Sequence, residues 1–189
     1  QGRLSGSGGD PRRQLQATPT PSKENNKGRF KHLVLAAALA FGSAATVTTT
    51  PVAAYDEASA SAINLEQGVI LHGYDPVAYF TAGKPTKGDA RYAVSDGGAT
   101  YHFASAANMK AFQANPAAYA PQYGGFCAMG AALGKKLDVD PSQFKIVGNK
   151  LYLNVNADVF QKWSQDVPGN IAKADQNWPA IKDKAPSAL

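Results

Sequence analysis

Apolar and polar residues alternate along several short stretches of the chain, and this two-residue period predicts β-strands. The clearest case is residues 101–103, where two aromatic side chains fall on one face of a strand and His102 falls on the other. Turn sequences that contain glycine separate pairs of such stretches, as in antiparallel hairpins. The two predicted hairpins join residues 91–94 to 99–103 and residues 144–147 to 151–153. Residues 69–74 form a further short apolar run, which predicts a buried extended segment.

Helical patterns follow these strands, and several have a recognisable start or end. Ser105 is predicted to cap a helix over residues 106–114, which an Asn-Pro pair ends because the residue before a proline avoids helical backbone angles. An Asp-Pro pair at residues 75–76 predicts another helix start. Further helices are predicted at residues 128–135, 157–163 and 171–178, the last after a break at Pro168-Gly169. Helices and hairpins in mixed order predict a small single α+β domain, with short antiparallel β-hairpins packed by helices.

The first 54 residues differ in composition from the rest, and they predict a leader and an export signal. Residues 1–27 are rich in glycine, serine, proline and lysine without apolar periodicity, so we expect them to be disordered. Residues 28–54 have a basic start, an apolar run over residues 33–47 and small residues at the end, as in a secretory signal peptide cleaved after Ala54. We therefore expect an exported protein, periplasmic or secreted, that contacts a membrane only if the signal is retained as an anchor.

The chain after Ala54 is predicted to have three parts and no excess of charge. These parts are a flexible mature N-terminus at residues 55–68, a packed domain at residues 69–180 and a C-terminal tail at residues 181–189. The formal net charge of +5 comes from the leader, because twelve basic and twelve acidic residues follow Ala54. No basic stripe with interleaved aromatic residues remains, so a nucleic-acid partner is not expected.

A few soft donor side chains are the candidates for chemistry. Cys127 is the only cysteine, so it cannot form a disulfide within the chain. Thiolate, thioether and imidazole are the donors that copper(I) prefers, and Cys127 and Met129 stand only two residues apart. We therefore predict a metal site formed by His102, Cys127, His72 and Met129, and a ligand pocket formed by Tyr101, Asp75 and Tyr123.

Each of these residues could also have a purely structural role, and the sequence pattern does not decide between the two roles. Cys127 is also consistent with a disulfide to another chain or with a buried inert thiol, and the residue type favours the inert thiol because free cysteine is among the residue types most often found in protein cores. A histidine on the polar face of a strand commonly has a hydrogen-bonded structural role. Asp75 before Pro76 fits a helix cap, and clustered aromatic residues usually form core.

Several of these segments together carry a resemblance to a known family. The sequence Tyr-His-Phe-Ala-Ser at residues 101–105, followed by Phe112, an Asn-Pro pair and Tyr119, resembles the YHS domain. The flanking segments at residues 73–80, 123–128 and 151–154 resemble a subgroup of exported bacterial YHS proteins. The resemblance covers residues 70–178, nearly all of the chain after Ala54.

The resemblance implies metal handling but not the family's usual ligands. YHS domains occur in copper-transporting ATPases and related proteins, where cysteines at the start of the domain and after the Tyr-Phe strand are taken to bind metal. Ala104 and Asn108 stand where such cysteines are expected, so the thiolate site is not carried over to this chain.

The sequence as a whole predicts a non-enzymatic, exported binding domain for a metal ion, with copper favoured, or for a small ligand. One alternative is a protein-interaction or structural module whose family metal site has been lost. Another is an enzyme with Cys127 as nucleophile and His102 or His72 as base, oriented by Asp75 or Asn108. No phosphate-binding loop, paired-carboxylate signature or zinc-protease motif is present in the sequence.

Overall fold

The structure is a computed structural model and describes residues 55–189. The predicted disordered leader at residues 1–27 and the predicted signal peptide at residues 28–54, with its cleavage after Ala54, lie outside the described residues.

Short strands form two separate sheets. The four-stranded sheet contains β1 (Leu65–Glu66), β2 (Val69–Ile70), β3 (Asp89–Asp96) and β4 (Ala99–Phe103), in the order β1-β2-β4-β3. Both hairpins of this sheet are antiparallel, whereas β2 pairs with β4 in parallel. The second sheet is the hairpin of β5 (Asp140–Val147) and β6 (Lys150–Asn154). Both predicted hairpins are therefore confirmed, and the parallel pairing was not foreseen.

Helices follow and cover these strands. They are α1 (Ala78–Thr81), α2 (Ala106–Ala114), α3 (Ala128–Ala132), α4 (Ala157–Ser164) and α5 (Val167–Ile181). Short 3-10 turns occur at Leu71–Gly73, Pro116–Ala118, Gln122–Gly125 and Pro186–Ala188. The combination of helices with short strands confirms the predicted α+β class.

Side-chain caps explain where several helices begin. The Ser105 hydroxyl accepts a hydrogen bond from the Asn108 N–H at 3.1 Å, which satisfies one of the free amides at the start of α2, as predicted. One oxygen of Asp75 accepts from the N–H groups of Val77 and Ala78, at 2.8 and 3.2 Å, so Asp75 also acts as a cap.

Three predicted segments differ from the structure. Residues 69–74 contain a strand of only two residues, which then turns sharply at Leu71–Gly73. The predicted break at Pro168-Gly169 was wrong: α5 begins at Val167, because a proline in the first turn lacks only an N–H that would have no helical partner. The helix predicted at residues 128–135 ends at Ala132.

Two hydrophobic clusters hold these elements together. The larger cluster packs the inner faces of β4 and β6 against α2, with Phe103, Phe112 and Leu151 fully buried. The smaller cluster packs α3, α4 and α5 around Trp163. At ~25 cal/mol per Å² of apolar surface, burial of this kind is the main stabilising term for a domain of this size.

Lys136 joins the first and last described segments to the domain. Its side chain is 1% exposed, and Nζ donates to the carbonyls of Ser61, Lys182 and Lys184 at 2.7, 3.0 and 2.6 Å. Nζ also lies 4.8 Å from the centroid of the Phe126 ring, a favourable cation–π position. Packed structure therefore extends into residues 55–68 and 181–189, which were predicted as a flexible segment and a tail.

Candidate functional site

The Tyr-His-Phe strand has one face in the core and one face toward solvent. Along β4, Ala99, Tyr101 and Phe103 are buried, while Thr100 and His102 are partly exposed, as the alternation of a strand requires. Cys127 belongs to the same core cluster as Tyr101 and Phe103. Strand β4 therefore separates Cys127 from His102, and the structure does not bring these two predicted metal ligands together.

The thiol of Cys127 has a structural role at the start of α3. It is 0% exposed, accepts a hydrogen bond from the Gly130 N–H at 3.4 Å and donates to the Asn154 side-chain oxygen at 3.5 Å. Burial raises the pKa of the Cys127 thiol, and hydrogen bonds from backbone N–H groups only partly oppose this. The thiol is therefore held protonated and out of reach, unlike an activated nucleophile.

Met129 is also engaged with the interior. Its side chain packs, partly buried, against both hydrophobic clusters. Its N–H donates to the same Asn154 oxygen that the Cys127 thiol contacts, at 3.2 Å. Met129 and Cys127 thus lie together, on the core side of the molecule.

His72 and His102 lie together in a groove on the surface, which we call the histidine groove. It has a volume of about 300 Å³, and it is lined by Glu66, Gln67, Val69, His72, Gly73, Lys87 and His102. The structure therefore brings His72 and His102 to one site, although thirty positions separate them along the chain.

The floor of the histidine groove is a strained turn. Leu71, His72 and Gly73 are three consecutive residues with positive φ, at 57°, 50° and 75°. The left-handed conformation costs about 1–2 kcal/mol for a residue with a side chain, and only glycine adopts it freely. Lys87 Nζ donates to the His72 carbonyl, and the Gly88 N–H donates to the Gly73 carbonyl at 2.9 Å. Neighbouring groups thus hold the turn in a conformation that its own residues disfavour.

His72 lies between two carboxylates. Its Nδ1 is 2.9 Å from Glu66 Oε2, and its Nε2 is 2.9 Å from Asp138 Oδ1. The hydrogen bond with Asp138 raises the pKa of His72 to about 9, with burial opposing the rise and Glu66 adding to it. At neutral pH the ring is therefore an imidazolium with both N–H groups in use, so it offers no lone pair to a metal ion.

His102, in contrast, has an unengaged ring. Among residues 55–189, no group forms a hydrogen bond with either of its ring nitrogens. Two glycines bring the neighbouring backbone close to it: a Cβ atom on Gly73 would lie 3.4 Å from His102 Nδ1, and one on Gly88 would lie 2.6 Å from the His102 main chain. Any side chain larger than that of glycine at position 88 would displace β4, so Gly88 fixes the position of His102.

The three residues predicted to form a ligand pocket do not line the histidine groove. Tyr101 is 5% exposed in the larger cluster, and burial raises its pKa to about 12. The hydroxyl of Tyr123 donates to Asp175 at 2.9 Å in the smaller cluster. These two tyrosines therefore have places in the core.

Asp75 is a buried carboxylate whose hydrogen bonds connect two motifs. It is 0% exposed, and in addition to capping α1 its second oxygen accepts from the Ala104 N–H at 2.8 Å and from Asn108 Nδ2 at 2.7 Å. With four donors around it, Asp75 joins the start of α1 to the junction of β4 and α2. Its environment is that of a structural carboxylate rather than of a ligand-contacting group.

No ready metal centre occurs in the part of the chain that the structure describes. There, no three side chains of histidine, cysteine, aspartate or glutamate are placed to hold a metal ion. The donors that line the histidine groove are nitrogen and oxygen atoms, because neither cysteine nor methionine is among its lining residues. A thiolate site is thus not formed by the described residues.

Sequence reasoning missed four residues that shape this site. Glu66, Lys87 and Asp138 fix the His72 turn by hydrogen bonds, and Gly73 leaves the groove floor open. Only Gly73 carried a sequence signal, because glycine after a short apolar run indicates a turn. Asp138 is 66 positions from His72, and no local pattern relates the two.

The fold and the groove define a small α+β domain built on a strand with an aromatic core face and a histidine on the open face. The model of the YHS domain family matches residues 77–123, which run from the start of α1 past β4 and α2. The match confirms the sequence resemblance to the YHS domain over these residues. No curated protein and no solved structure matches the chain. Among residues 55–189, no helix has the length and apolar character needed to cross a membrane.

Proposed function

We propose that this chain is a non-enzymatic binding domain, that the histidine groove is its ligand site, and that His102 contacts the ligand. The observation that carries this proposal is the unengaged imidazole of His102 above a strained turn. Backbone strain is concentrated at ligand-binding and catalytic sites, where surrounding groups hold it in place. The other predicted donors are engaged within the fold, His72 and Cys127 by hydrogen bonds and Met129 by packing, so His102 is the predicted donor that remains available to a ligand.

A metal ion is one ligand class for this site, and the family points to copper. The buried thiol of Cys127 removes the donor that would favour copper(I). Imidazole and carboxylate oxygen suit divalent copper instead, so His102 would be the nitrogen donor for copper(II), and Glu66 would have only its Oε1 atom to offer because Oε2 pairs with His72. A small organic or inorganic ligand is the other class, because the groove is within the size range of small-molecule sites.

A copper titration of the full chain tests the role of His102. Copper(II) is supplied from a chromophoric chelator, and transfer is compared between the wild type and His102→Gln. We expect the substitution to weaken copper binding by at least about tenfold, because it removes the imidazole donor. Cys127→Ser is the control, because its thiol is buried on the core side of β4, and we expect it to leave the affinity unchanged.

Two results would contradict the proposal, one from this titration and one from NMR spectra. Loss of binding in Cys127→Ser, with His102→Gln unaffected, would place the site on the core side of β4. If copper, phosphate and acetate all fail to perturb the ring signals of His102 in NMR spectra, the groove is not a ligand site. The interaction-module alternative would then be favoured.

We also propose that the protein is exported to the periplasm or secreted. The support is the signal-like composition of residues 28–54, which lie outside the described residues. Mass spectrometry of the chain expressed in a bacterial host with a secretory pathway tests this. We expect a processed species that starts at Tyr55 in the exported fraction, and an unprocessed chain confined to the cytoplasm would contradict export.

A further inference from the structure

We infer, on the basis of the proposed function, that the ligand of the histidine groove is a small oxyanion, a carboxylate or a phosphate, bound between Lys87 and His102. Both side chains line the groove, and they approach each other over the one residue of its floor that has no side chain.

The two nitrogen atoms converge on Gly73. A Cβ atom built on Gly73 would lie 3.4 Å from His102 Nδ1 and 3.7 Å from Lys87 Nζ. Both nitrogens are thus within 4 Å of one point. An oxyanion above the Gly73 backbone can accept hydrogen bonds of ~2.7–3.0 Å from both, since its oxygen atoms spread over a similar distance. The missing side chain at Gly73 leaves the space for this ligand.

Lys87 retains donors for such a ligand. An ammonium group has three N–H donors. Among the described residues, the carbonyl of His72 is the only hydrogen-bond acceptor of Lys87 Nζ, and the ammonium also lies 4.7 Å from the centroid of the Tyr74 ring. Lys87 forms no salt bridge within residues 55–189, so no carboxylate there pairs with its ammonium group. A charged hydrogen bond from Lys87 to an oxyanion is stronger than one between neutral groups.

The other charged groups at the groove are two carboxylates that share one imidazolium. The carboxylate of Glu66 is paired with the imidazolium of His72, whose second N–H binds Asp138. These three groups together carry a net charge of −1, which the positive charge of Lys87 balances, so the preference for an anion rests on the two donors that converge on Gly73.

The dimensions of the groove limit the ligand to a few heavy atoms. A volume of about 300 Å³ is at the lower end of the range for small-molecule sites. A free carboxylate or phosphate, or a small metabolite that bears one, fits this space, and a longer polymer would reach it only with its end group.

An NMR titration of the isotopically labelled full chain tests this inference. Inorganic phosphate and acetate are added separately at constant ionic strength, and the ring signals of His102 and the side-chain signals of Lys87 are followed. We expect saturable shifts with at least one of the two anions. Saturation with phosphate alone would identify a phosphate ligand, and saturation with acetate alone would identify a carboxylate ligand.

Variants at Lys87 show whether the effect depends on its charge. We expect Lys87→Gln to weaken the affinity at least about tenfold, and Lys87→Arg, which keeps the charge and the donors, to stay within about threefold of the wild type. Lys84→Gln is the control, because Lys84 is exposed, three residues away and outside the groove lining. Retention of binding in Lys87→Arg shows that the affinity depends on a cationic donor at position 87, and an unchanged backbone amide spectrum of Lys87→Gln away from the groove shows that this variant is folded.

Two results would overturn the oxyanion inference. One is the absence of saturable shifts with either anion; the other is an equal effect of Lys84→Gln and Lys87→Gln. If copper(II) still binds through His102 in either case, the groove remains the ligand site and only the anion is excluded. If His102 responds to none of these probes, the proposed function fails as well.

Discussion

The charge of His72 should make the stability of this domain depend on pH in a narrow window. His72 has a pKa of about 9 in the folded state and about 6.5 in the unfolded chain, because Asp138 and Glu66 stabilise its protonated form. The folded state therefore binds the proton more tightly than the unfolded state. This contribution is fully present below pH 6.5 and is lost as the pH rises to about 9.

The size of this contribution follows from the pKa change. Each unit of pKa corresponds to ~1.4 kcal/mol, so the rise to about 9 sets an upper bound of about 3 kcal/mol. The His72 side chain is 23% exposed on the open groove, and solvent weakens ion pairs at such positions. We therefore expect a loss of ~1–2 kcal/mol of unfolding free energy between the two pH limits.

Urea unfolding of the wild type and His72→Asn over a series of pH values measures this loss. Asparagine is chosen because it tolerates the left-handed backbone of position 72 better than most residues do. We expect His72→Asn to be less stable than the wild type by ~1–2 kcal/mol at pH 6.5 and nearly equal above pH 9. His102→Gln, which removes an unengaged imidazole, should follow the wild-type profile.

One result would refute the charge argument for His72. If His72→Asn loses the same unfolding free energy at pH 6.5 and at pH 9, then His72 supports the turn by its shape, and its proton is irrelevant. Loss of Asp138 should give the matching result, because Asp138→Asn removes the main cause of the raised pKa of His72. A pH profile of Asp138→Asn that remains as steep as that of the wild type would also count against the reasoning.

Two further predictions concern buried charges in the fold. Asp75→Asn should lower the unfolding free energy by ~2–4 kcal/mol in urea unfolding, because the new NH2 group cannot accept hydrogen bonds from the N–H donors around it. The control is Asp96→Asn at an exposed position, which should change the unfolding free energy little. Lys136→Met should lower the unfolding free energy by ~2–3 kcal/mol and speed hydrogen exchange in residues 55–63 and 182–189, because three carbonyls lose their donor. The control is Lys135→Met at an exposed position, and equal exchange rates in the two variants would contradict the prediction.

The parts of the fold that local chemistry determines could be predicted from the sequence. The cap at Ser105, the end of α2 before Pro116 and the two hairpin turns each depend on a few adjacent residues. The parallel pairing of β2 with β4 could not be predicted, because it depends on contacts about thirty residues apart. The α5 start was missed because Pro168 was interpreted as a break rather than as a first-turn residue.

The candidate site was less predictable than the fold. Alternation along the strand correctly placed His102 opposite Tyr101 and Phe103. Nothing in the sequence shows on which side of β4 a residue from another element will pack, so the position of Cys127 could not be derived. The carboxylate partners of His72 come from β1 and from the segment before β5, and only the folded chain brings them together.

The four hydrogen bonds of Asp75 have a consequence for how such sequences can vary. The buried Asp75 and the partly buried Asn108 form one charge–amide pair, although they belong to motifs 33 positions apart. A relative that lacks the acid at the first position would leave the amide N–H of the second without an acceptor. Natural variation should therefore change the two positions together, and this pairing could be recognised in a set of related sequences before any of their structures is known.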